Sequence, residues 1–201
     1  MKKIYLDYAA TTPVKREVVE AMMPYYQNMY STKKYQTLIE KYEVEFFELI
    51  HAKTGFIRFN AGGSAGNNDI IKSFAQSFKE KGKHMITSKI EHPSVYRVME
   101  KLEKDGFEIT YIACDAQGHL DLEALQSAFR PDTILASFML VNNEIGARQP
   151  IEAIAKLCKM HDVFLHVDAV QALGNIALDV DLLGADAVTF SAHKIYAPKG
   201  R

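Results

Sequence analysis

The chain has 201 residues, of which 48% are hydrophobic, enough for one large domain or two small ones with a sizeable core. Its 24 basic and 25 acidic side chains form no long run of either sign, which argues against a nucleic acid or a membrane surface as partner and favours a small molecule. There is no run of about 18 apolar residues, and an acid stands at Asp7 where a signal peptide would be apolar, so we predict a cytoplasmic protein. The only cysteines, Cys114 and Cys158, lie far apart, so we predict neither a disulfide framework nor a metal site.

The N-terminal quarter of the chain predicts an extended segment and two helices. The extended segment is placed at residues 1–14. Thr12 is predicted to cap the first helix and Pro13 to stand in its first turn, ahead of an apolar face from Val18 to Tyr26. The second helix is predicted over about residues 35–52, with one apolar stripe and one solvated, charged face.

From Gly55 onward, strands and helices alternate along the sequence. Apolar and β-branched runs predict strands at residues 56–59, 84–88, 108–112, 134–141, 163–167 and 187–190. Helical spacing of apolar residues predicts helices after Gly66, Pro93, Asp121 and Pro150. Because the strands are largely apolar on both faces, we predict an α/β fold with a mostly parallel sheet, helices on both faces and right-handed crossovers.

Polar residues of unusual type follow five of these predicted strands. They are Ser64, His92, Asn143, Asp168 with Gln171, and His193 with Lys194. Ligands of open α/β sheets bind outside the carboxyl ends of the strands, so this agreement among five loops predicts a binding site there. Lys194, just past a strand end among small residues, is the candidate for a lysine that forms a Schiff base.

The same residues can meet the requirements of pyridoxal phosphate (PLP). Lys194 can bond to the cofactor and move protons at the substrate Cα, and Asp168 can pair with the pyridinium nitrogen. His92 can stack on the ring. Gly62-Gly63-Ser64 at a helix start offers backbone N–H groups and a hydroxyl to the phosphate.

The other polar residues extend this assignment. Asn143 and Gln171 can hydrogen-bond the ring oxygen, and His193 can reach the phosphate or assist proton transfer.

Each residue also has an ordinary structural interpretation. A Gly-Gly-Ser turn is common between strand and helix, and Asp168 at a strand end can cap the next turn. His92 before Pro93 can be a loop histidine, and Asn143 can be a turn residue in the left-handed region. Taken alone, Lys194 can be a solvated surface lysine.

Five segments of the sequence stand out as whole motifs: Tyr5-Leu6-Asp7-Tyr8-Ala9-Ala10-Thr11-Thr12-Pro13, Glu91-His92-Pro93, Val141-Asn142-Asn143-Glu144-Ile145-Gly146, His166-Val167-Asp168-Ala169-Val170-Gln171 and Ser191-Ala192-His193-Lys194. At the level of these motifs the sequence resembles the cysteine desulfurases, PLP enzymes of the aminotransferase-like fold type I. Enzymes of this family move sulfur from L-cysteine, releasing L-alanine, to a protein cysteine as a persulfide.

Carried over position by position, the resemblance implies a role for each matched residue. It implies Lys194 as the Schiff-base lysine, Asp168 under the pyridine nitrogen and His92 over the ring. It also implies Asn143 and Gln171 near the ring oxygen, with the phosphate surrounded by Ser64, Ser191 and His193. It further implies a protein acceptor or scaffold for the sulfur, service in iron–sulfur cluster or thio-cofactor assembly, and a homodimer when full length.

Three departures from the family pattern stand in this sequence. Gly62-Gly63-Ser64-Ala65-Gly66 replaces the usual Gly-Ala-Thr-Glu and small residue, and Tyr30-Ser31-Thr32-Lys33-Lys34-Tyr35 stands where a Gly-Asn-Pro-Ser-Ser segment is expected. The third departure is that the sequence ends at Arg201, roughly midway through the length that the resemblance implies, so residues 15–201 are expected to form an incomplete PLP-binding large domain. This portion would lack the final sheet strand, which lies between the strands ending at Phe59 and Phe190, and the small domain.

The expected missing portion would also carry the cysteine that forms the persulfide, and neither Cys114 nor Cys158 is expected to replace it. Three alternatives to the desulfurase interpretation remain at this point: a selenocysteine lyase, another cysteine lyase of the same fold, and a non-catalytic scaffold that kept the fold.

Overall fold

Five parallel strands organise the residues that the computed structural model describes, 4–28 and 31–200. The strands are β1 His84–Ser88, β2 Glu108–Ile112, β3 Thr133–Met139, β4 Phe164–Asp168 and β5 Ala187–Thr189. Their order across the sheet is β2-β1-β3-β4-β5, and every neighbouring pair is parallel. This arrangement confirms the predicted α/β fold. Met1–Lys3, Tyr30 and Arg201, which the sequence predictions include, lie outside the described residues.

Helices connect the strands and precede them. They are α1 Arg16–Asn28, α2 Thr32–Leu49, α3 Gly63–Phe78, α4 Pro93–Lys104, α5 Leu122–Ala128, α6 Ile151–Met160 and α7 Val180–Leu183, with a 3₁₀ turn over Ala192–Lys194. The four helices predicted between strands are all present. α7 and the 3₁₀ turn were not predicted, because segments of four and three residues are too short to show helical periodicity. Within the described part of the chain, no helix combines the length and apolar character needed to cross a membrane.

Alternate side chains of the strands enter two separate cores, one on each face of the sheet. Met85 and Leu135 pack with Ile71 of α3 and Met99 of α4 on one face. Their neighbours in the strands, among them Ile86 and Ala136, pack against α5 and α6 on the other face. Successive residues of a strand point to opposite sides, and β1 and β3 at the middle of the sheet are buried at every position, so they supply apolar side chains to both cores.

Thr12 has a different role from the predicted one. α1 begins at Arg16, so Thr12 does not cap it and Pro13 precedes its first turn. The buried Thr12 hydroxyl instead donates to the carbonyl of His193 at 2.9 Å and accepts from the N–H of Tyr196 at 2.7 Å. The prediction was wrong because these two backbone groups, far away in the sequence, satisfy the hydroxyl.

The predicted strand at residues 56–59 is not present. These residues have no regular secondary structure, and Phe56 and Phe59 are 86% and 63% exposed. A strand exists only where a neighbouring backbone completes its hydrogen bonds, and β5, at the sheet edge, pairs only with β4 among the described residues. The apolar sequence is therefore insufficient to make a strand here.

Glu91 joins the turn that carries His92 to the middle of the sheet. Its Oε1 accepts from the Ser88 hydroxyl at 2.6 Å and from the N–H of Met139 at 3.1 Å. Its Oε2 is buried and has no hydrogen-bond partner among the described residues. Burial raises the pKa of Glu91 to about 8, so this side chain is a neutral acid over most of the physiological range.

The raised pKa predicts that the protein loses stability as the pH rises from about 4.5, the ordinary value, to about 8. In this window the folded protein keeps a proton on Glu91 that the unfolded chain has released, so the free energy of unfolding falls by up to about 1.4 kcal/mol per pH unit. Glu91→Gln, which stays neutral, should remove this contribution, as measured by urea denaturation across the window. Glu152→Gln on the exposed side of α6 is the matched control. An unchanged slope in Glu91→Gln would show that Glu91 ionises normally in the folded state.

Candidate functional site

A cavity of about 460 Å³ lies at the carboxyl ends of the strands, within the size range of small-molecule sites. All nine residues predicted for the site line it: Gly63, Ser64, His92, Asn143, Asp168, Gln171, Ser191, His193 and Lys194. Asn67, Ser94 and Lys199, which the sequence did not single out, line it as well. The tertiary structure thus brings together residues from five loops.

Asp168 ends β4 and presents a buried carboxylate to this cavity. Its Oδ1 accepts from the N–H of Val170 at 3.0 Å, and its Oδ2 accepts from Asn67 Nδ2 at 2.7 Å. Burial raises the pKa of Asp168, while these two hydrogen bonds and the nearby Lys194 act in the opposite direction. Asp168 Oδ1 thus caps the turn, as its ordinary structural interpretation expected, whereas Asp168 Oδ2 accepts from the side chain of Asn67.

The Lys194 amine lies at the cavity and contacts the N-terminal segment. Nζ donates to the carbonyl of Ala9 and, at 3.0 Å, to that of Ala10. Gln171 Nε2 donates to the same Ala9 carbonyl at 3.0 Å. Burial lowers the pKa of Lys194, and the carboxylates of Asp7, Asp168 and Glu144 oppose this shift. Two backbone carbonyls therefore hold an amine that burial makes easier to deprotonate.

His193 connects the same two segments of the chain. Its Nδ1 lies 3.0 Å from the Thr11 hydroxyl, and its carbonyl accepts from the Thr12 N–H at 3.1 Å. Burial lowers the pKa of His193, and the positive charges of Lys194 and Lys199 lower it further. Residues 9–12 are therefore part of the site, although sequence reasoning used them only as a family motif.

The start of α3 has the geometry that is typical of anion-binding sites. Gly62 has φ +126°, which glycine adopts without strain, and α3 begins at Gly63. The Gly63 N–H points to the Ser191 hydroxyl at 3.4 Å. A Cβ at Gly63 would lie 2.7 Å from a methyl group of Val170, so glycine is what allows the helix start to approach the end of β4 so closely. The N–H groups and positive dipole end of this 16-residue helix suit a phosphate.

His92 is the N-cap residue of α4 and is half-buried. Its Nδ1 accepts from the Ser94 N–H at 3.1 Å and lies 2.7 Å from the Ser94 hydroxyl. The histidine thus has a structural role in capping the helix while its ring lines the cavity.

Asn143 also lines the cavity, and its Nδ2 donates to Glu144 Oε1 at 2.6 Å. The turn around it is formed by Asn142, whose Oδ1 accepts from the N–H groups of Glu144 and Ile145. The turn-residue interpretation therefore suits Asn142.

Asn67 is the most important site residue that sequence reasoning missed. It is fully buried, and its Nδ2 donates to Asp168 and, at 2.9 Å, to the Ser94 hydroxyl. A signal was available, because Asn67 lies four residues after Gly63 and so shares a face of α3 with it.

The residues present fit PLP. The cavity combines a buried carboxylate for a cationic ring nitrogen, an amine of lowered pKa for an aldehyde, and a helix start flanked by hydroxyls for a phosphate. The charges of Asp168 and Lys194 are each disfavoured by burial, so a ligand that pairs with both is stabilised here.

A family model described as aminotransferase class-V matches residues 4–200. A cysteine desulfurase IscS of Dictyoglomus turgidum is 44% identical over 207 residues, covering 99% of this chain and 52% of that protein. A solved structure of a NifS-like protein has a TM-score of 0.94 at 32% identity, and the match covers 99% of this chain and 57% of that protein's chain. A structure of SspA in complex with cysteine has a TM-score of 0.88 at 35% identity, and the match covers 98% of this chain and 59% of that protein's chain.

These matches confirm the resemblance to cysteine desulfurases that the motifs carry. The chain spans about half the length of the curated relatives it matches, 52% of one and 51% of another.

We predict that Thr12 stabilises the contact between the N-terminal segment and the segment that carries Lys194. Thr12→Val keeps the shape but leaves the Tyr196 N–H without its acceptor, which should cost about 1–3 kcal/mol of unfolding free energy and speed amide exchange at Tyr196. Thr12→Ser keeps the hydroxyl and is the control. Equal stability and equal exchange in the two variants would show that these hydrogen bonds do not hold the segments together.

Proposed function

The chain belongs to the aminotransferase class-V family, and on that premise we propose that the protein is a PLP-dependent cysteine desulfurase. It would remove sulfur from L-cysteine, give L-alanine and transfer the sulfur to a protein cysteine as a persulfide. The observation that carries the proposal is the convergence of Asp168 and Lys194 on one cavity beside the start of α3.

The proposed binding mode assigns each wall of the cavity to one part of PLP. The α3 N-terminus, with Ser64, Ser191 and His193, would hold the phosphate. Asp168 would hold the ring nitrogen, and His92 would cover the ring. Asn143 and Gln171 would stand near the ring oxygen. When bound, PLP supplies an aldehyde that condenses with amines and a ring that accepts electrons from the substrate.

In the proposed reaction the protein holds and moves protons. Asp168, kept in place by Asn67 and the Val170 N–H, would keep a proton on the ring nitrogen by its negative charge. Lys194 Nζ would leave the carbonyls of Ala9 and Ala10, lose its proton readily because burial lowers its pKa, and take a proton from the substrate Cα. Asp168 is buried and Lys194 is half-buried, which limits the access of water to both groups.

The cysteine that accepts the sulfur is not one of the two in this chain. A thiolate is the reactive form, and burial raises the pKa of Cys114 and raises that of Cys158 to about 12. Cys158 is part of the apolar core under α6. We therefore assign sulfur uptake to a cysteine elsewhere in the complete protein or in its partner.

The proposal also covers the setting of the reaction. We propose a cytoplasmic homodimer that delivers sulfur to an acceptor or scaffold protein for iron–sulfur cluster or thio-cofactor assembly. Relatives that match 98–99% of this chain bear the name cysteine desulfurase IscS, which supports the role as a sulfur donor. The compartment, the dimer and the destination of the sulfur are proposed from the resemblance to that family.

The cofactor assignment predicts one covalent attachment site. After addition of PLP and reduction with borohydride, mass spectrometry should find a phosphopyridoxyl group on Lys194, preceded by a visible absorbance band. Lys194→Ala should lose both the band and the adduct, while Lys72→Ala on the exposed face of α3 should keep both. An adduct at other lysines, or a band that persists in Lys194→Ala, would refute the assignment.

The reaction assignment predicts specific products from the translation product of the complete reading frame. With L-cysteine and a reductant it should release alanine and sulfide in equal amounts. Pyruvate with ammonia would indicate a β-eliminating lyase, and turnover of selenocysteine alone would indicate a selenocysteine lyase. Bound PLP without turnover would favour a scaffold, and each of these three outcomes contradicts the desulfurase proposal.

A further inference from the structure

A chain of hydrogen bonds joins Asp168 to His92 behind the wall of the cavity. Asn67 Nδ2 donates to Asp168 Oδ2 at 2.7 Å and to Ser94 Oγ at 2.9 Å. Ser94 Oγ lies 2.7 Å from His92 Nδ1. Asn67 and Ser94, which we call the Asn67–Ser94 relay, thus link the two residues that flank the proposed ring site.

The chemistry of the groups sets the direction of every bond in this chain. An ionised carboxylate only accepts, so the amide nitrogen of Asn67 must face Asp168. The second hydrogen on the same nitrogen then points to Ser94 Oγ, which accepts it. The Ser94 hydroxyl keeps its own hydrogen to donate, and the direction of its 2.7 Å contact with His92 Nδ1 is decided at the histidine.

A backbone group supports the same arrangement at His92. The Ser94 N–H donates to Nδ1 at 3.1 Å, because His92 caps α4. Nδ1 therefore accepts from two donors and cannot carry a proton in this geometry. In the neutral ring the proton is then on Nε2. Among residues 4–28 and 31–200, the structure records no hydrogen bond to Nε2.

The burial of Asn67 next to Asp168 fixes which end of the Asn67 amide faces the carboxylate. Asn67 is 0% exposed and its Oδ1 is buried without a partner among the described residues. An amide flip would turn that oxygen towards the Asp168 carboxylate, where two acceptors would repel each other. The charge on Asp168 therefore keeps the amide in the orientation that the relay needs, at the expense of one unpartnered oxygen.

We propose that Asn67 and Ser94 are positioning residues that fix His92 in its Nε2–H form and make this form depend on the ionised Asp168. His92 then offers an N–H donor, rather than an acceptor, to a ligand in the cavity. The importance of this donor for catalysis rests on the proposed function, whereas the hydrogen-bond pattern itself does not.

The test reads the His92 ring directly and without cofactor, so its failure is distinct from failure of the PLP assignment. Long-range proton–nitrogen correlation spectra of ¹⁵N-histidine protein distinguish the two neutral forms, and His92→Gln identifies the His92 signals among the seven histidines. The wild type should show widely separated nitrogen signals with Nε2 protonated. Ser94→Ala leaves only the backbone N–H of residue 94 on Nδ1, and Asn67→Ala frees the Ser94 hydroxyl to accept from Nδ1. Both variants should therefore bring the two signals part of the way together, because the Nδ1–H form becomes partly populated.

Two control variants separate the relay from general damage to the site. Ser94→Thr keeps the hydroxyl and should retain the wild-type separation. Asn68→Ala removes a neighbouring amide that donates to the carbonyls of Ser64 and Ser94 but not to the Ser94 hydroxyl, and it should leave the His92 signals in place.

Three results would overturn the proposal. They are a wild-type ring protonated on Nδ1, an Asn68→Ala variant that moves the signals as far as Asn67→Ala does, and unchanged signals in Ser94→Ala. If Asn67→Ala does not fold, the Ser94→Ala and Ser94→Thr pair decides, because Ser94 is only half-buried and its substitution leaves the core intact.

Discussion

The buried carboxylate of Asp168 is the interaction on which the site depends. It is 6% exposed, and a charge in such a place needs hydrogen bonds and a counter-charge. The turn after β4 supplies the Val170 N–H, α3 supplies the amide of Asn67, and the segment after β5 supplies the positive charge of Lys194. The glycine start of α3 packs against Val170 and Ser191, and this close approach accompanies the hydrogen bond from Asn67 of the same helix to Asp168.

Burial acts on the titratable groups of the site in a consistent way. It raises the pKa of Asp168 and Glu91 and lowers that of Lys194 and His193, so each group is shifted towards its neutral form. The opposite charges of Asp168 and Lys194 each oppose the effect of burial on the pKa of the other. A cavity of this kind favours a ligand with a cationic ring nitrogen at one end, an amine-reactive carbonyl near the lysine and an anion at the helix start. That ligand chemistry agrees with the family to which the chain belongs.

Parallel topology explains how residues so far apart in sequence meet. The carboxyl ends of β1, β3, β4 and β5 lie at one edge of the sheet, and the loops that leave them carry His92, Asn143, Asp168 and Lys194. The N-terminal segment then crosses to this edge, where Thr12 and Ala9 bind a segment that lies more than 180 residues later. Lys194 is consequently positioned both by the segment after β5, to which it belongs, and by the N-terminal segment, whose carbonyls accept from its amine.

The sequence by itself determined the five strands of the sheet, four connecting helices and nine of the residues that line the cavity, because buried strands need apolar side chains on both faces and because unusual polar residues stand at strand ends. Only the tertiary structure decided the rest. The segment 56–59 is apolar enough for a strand, but within the described part of the chain it has no neighbouring backbone to pair with. Thr12 looks like a cap until the carbonyl of His193 is beside it. Hydrogen bonds to groups far away in the sequence also define the roles of Asn67, Ser94 and the carbonyls of Ala9 and Ala10. No local pattern of residue types encodes where such a distant partner lies in space.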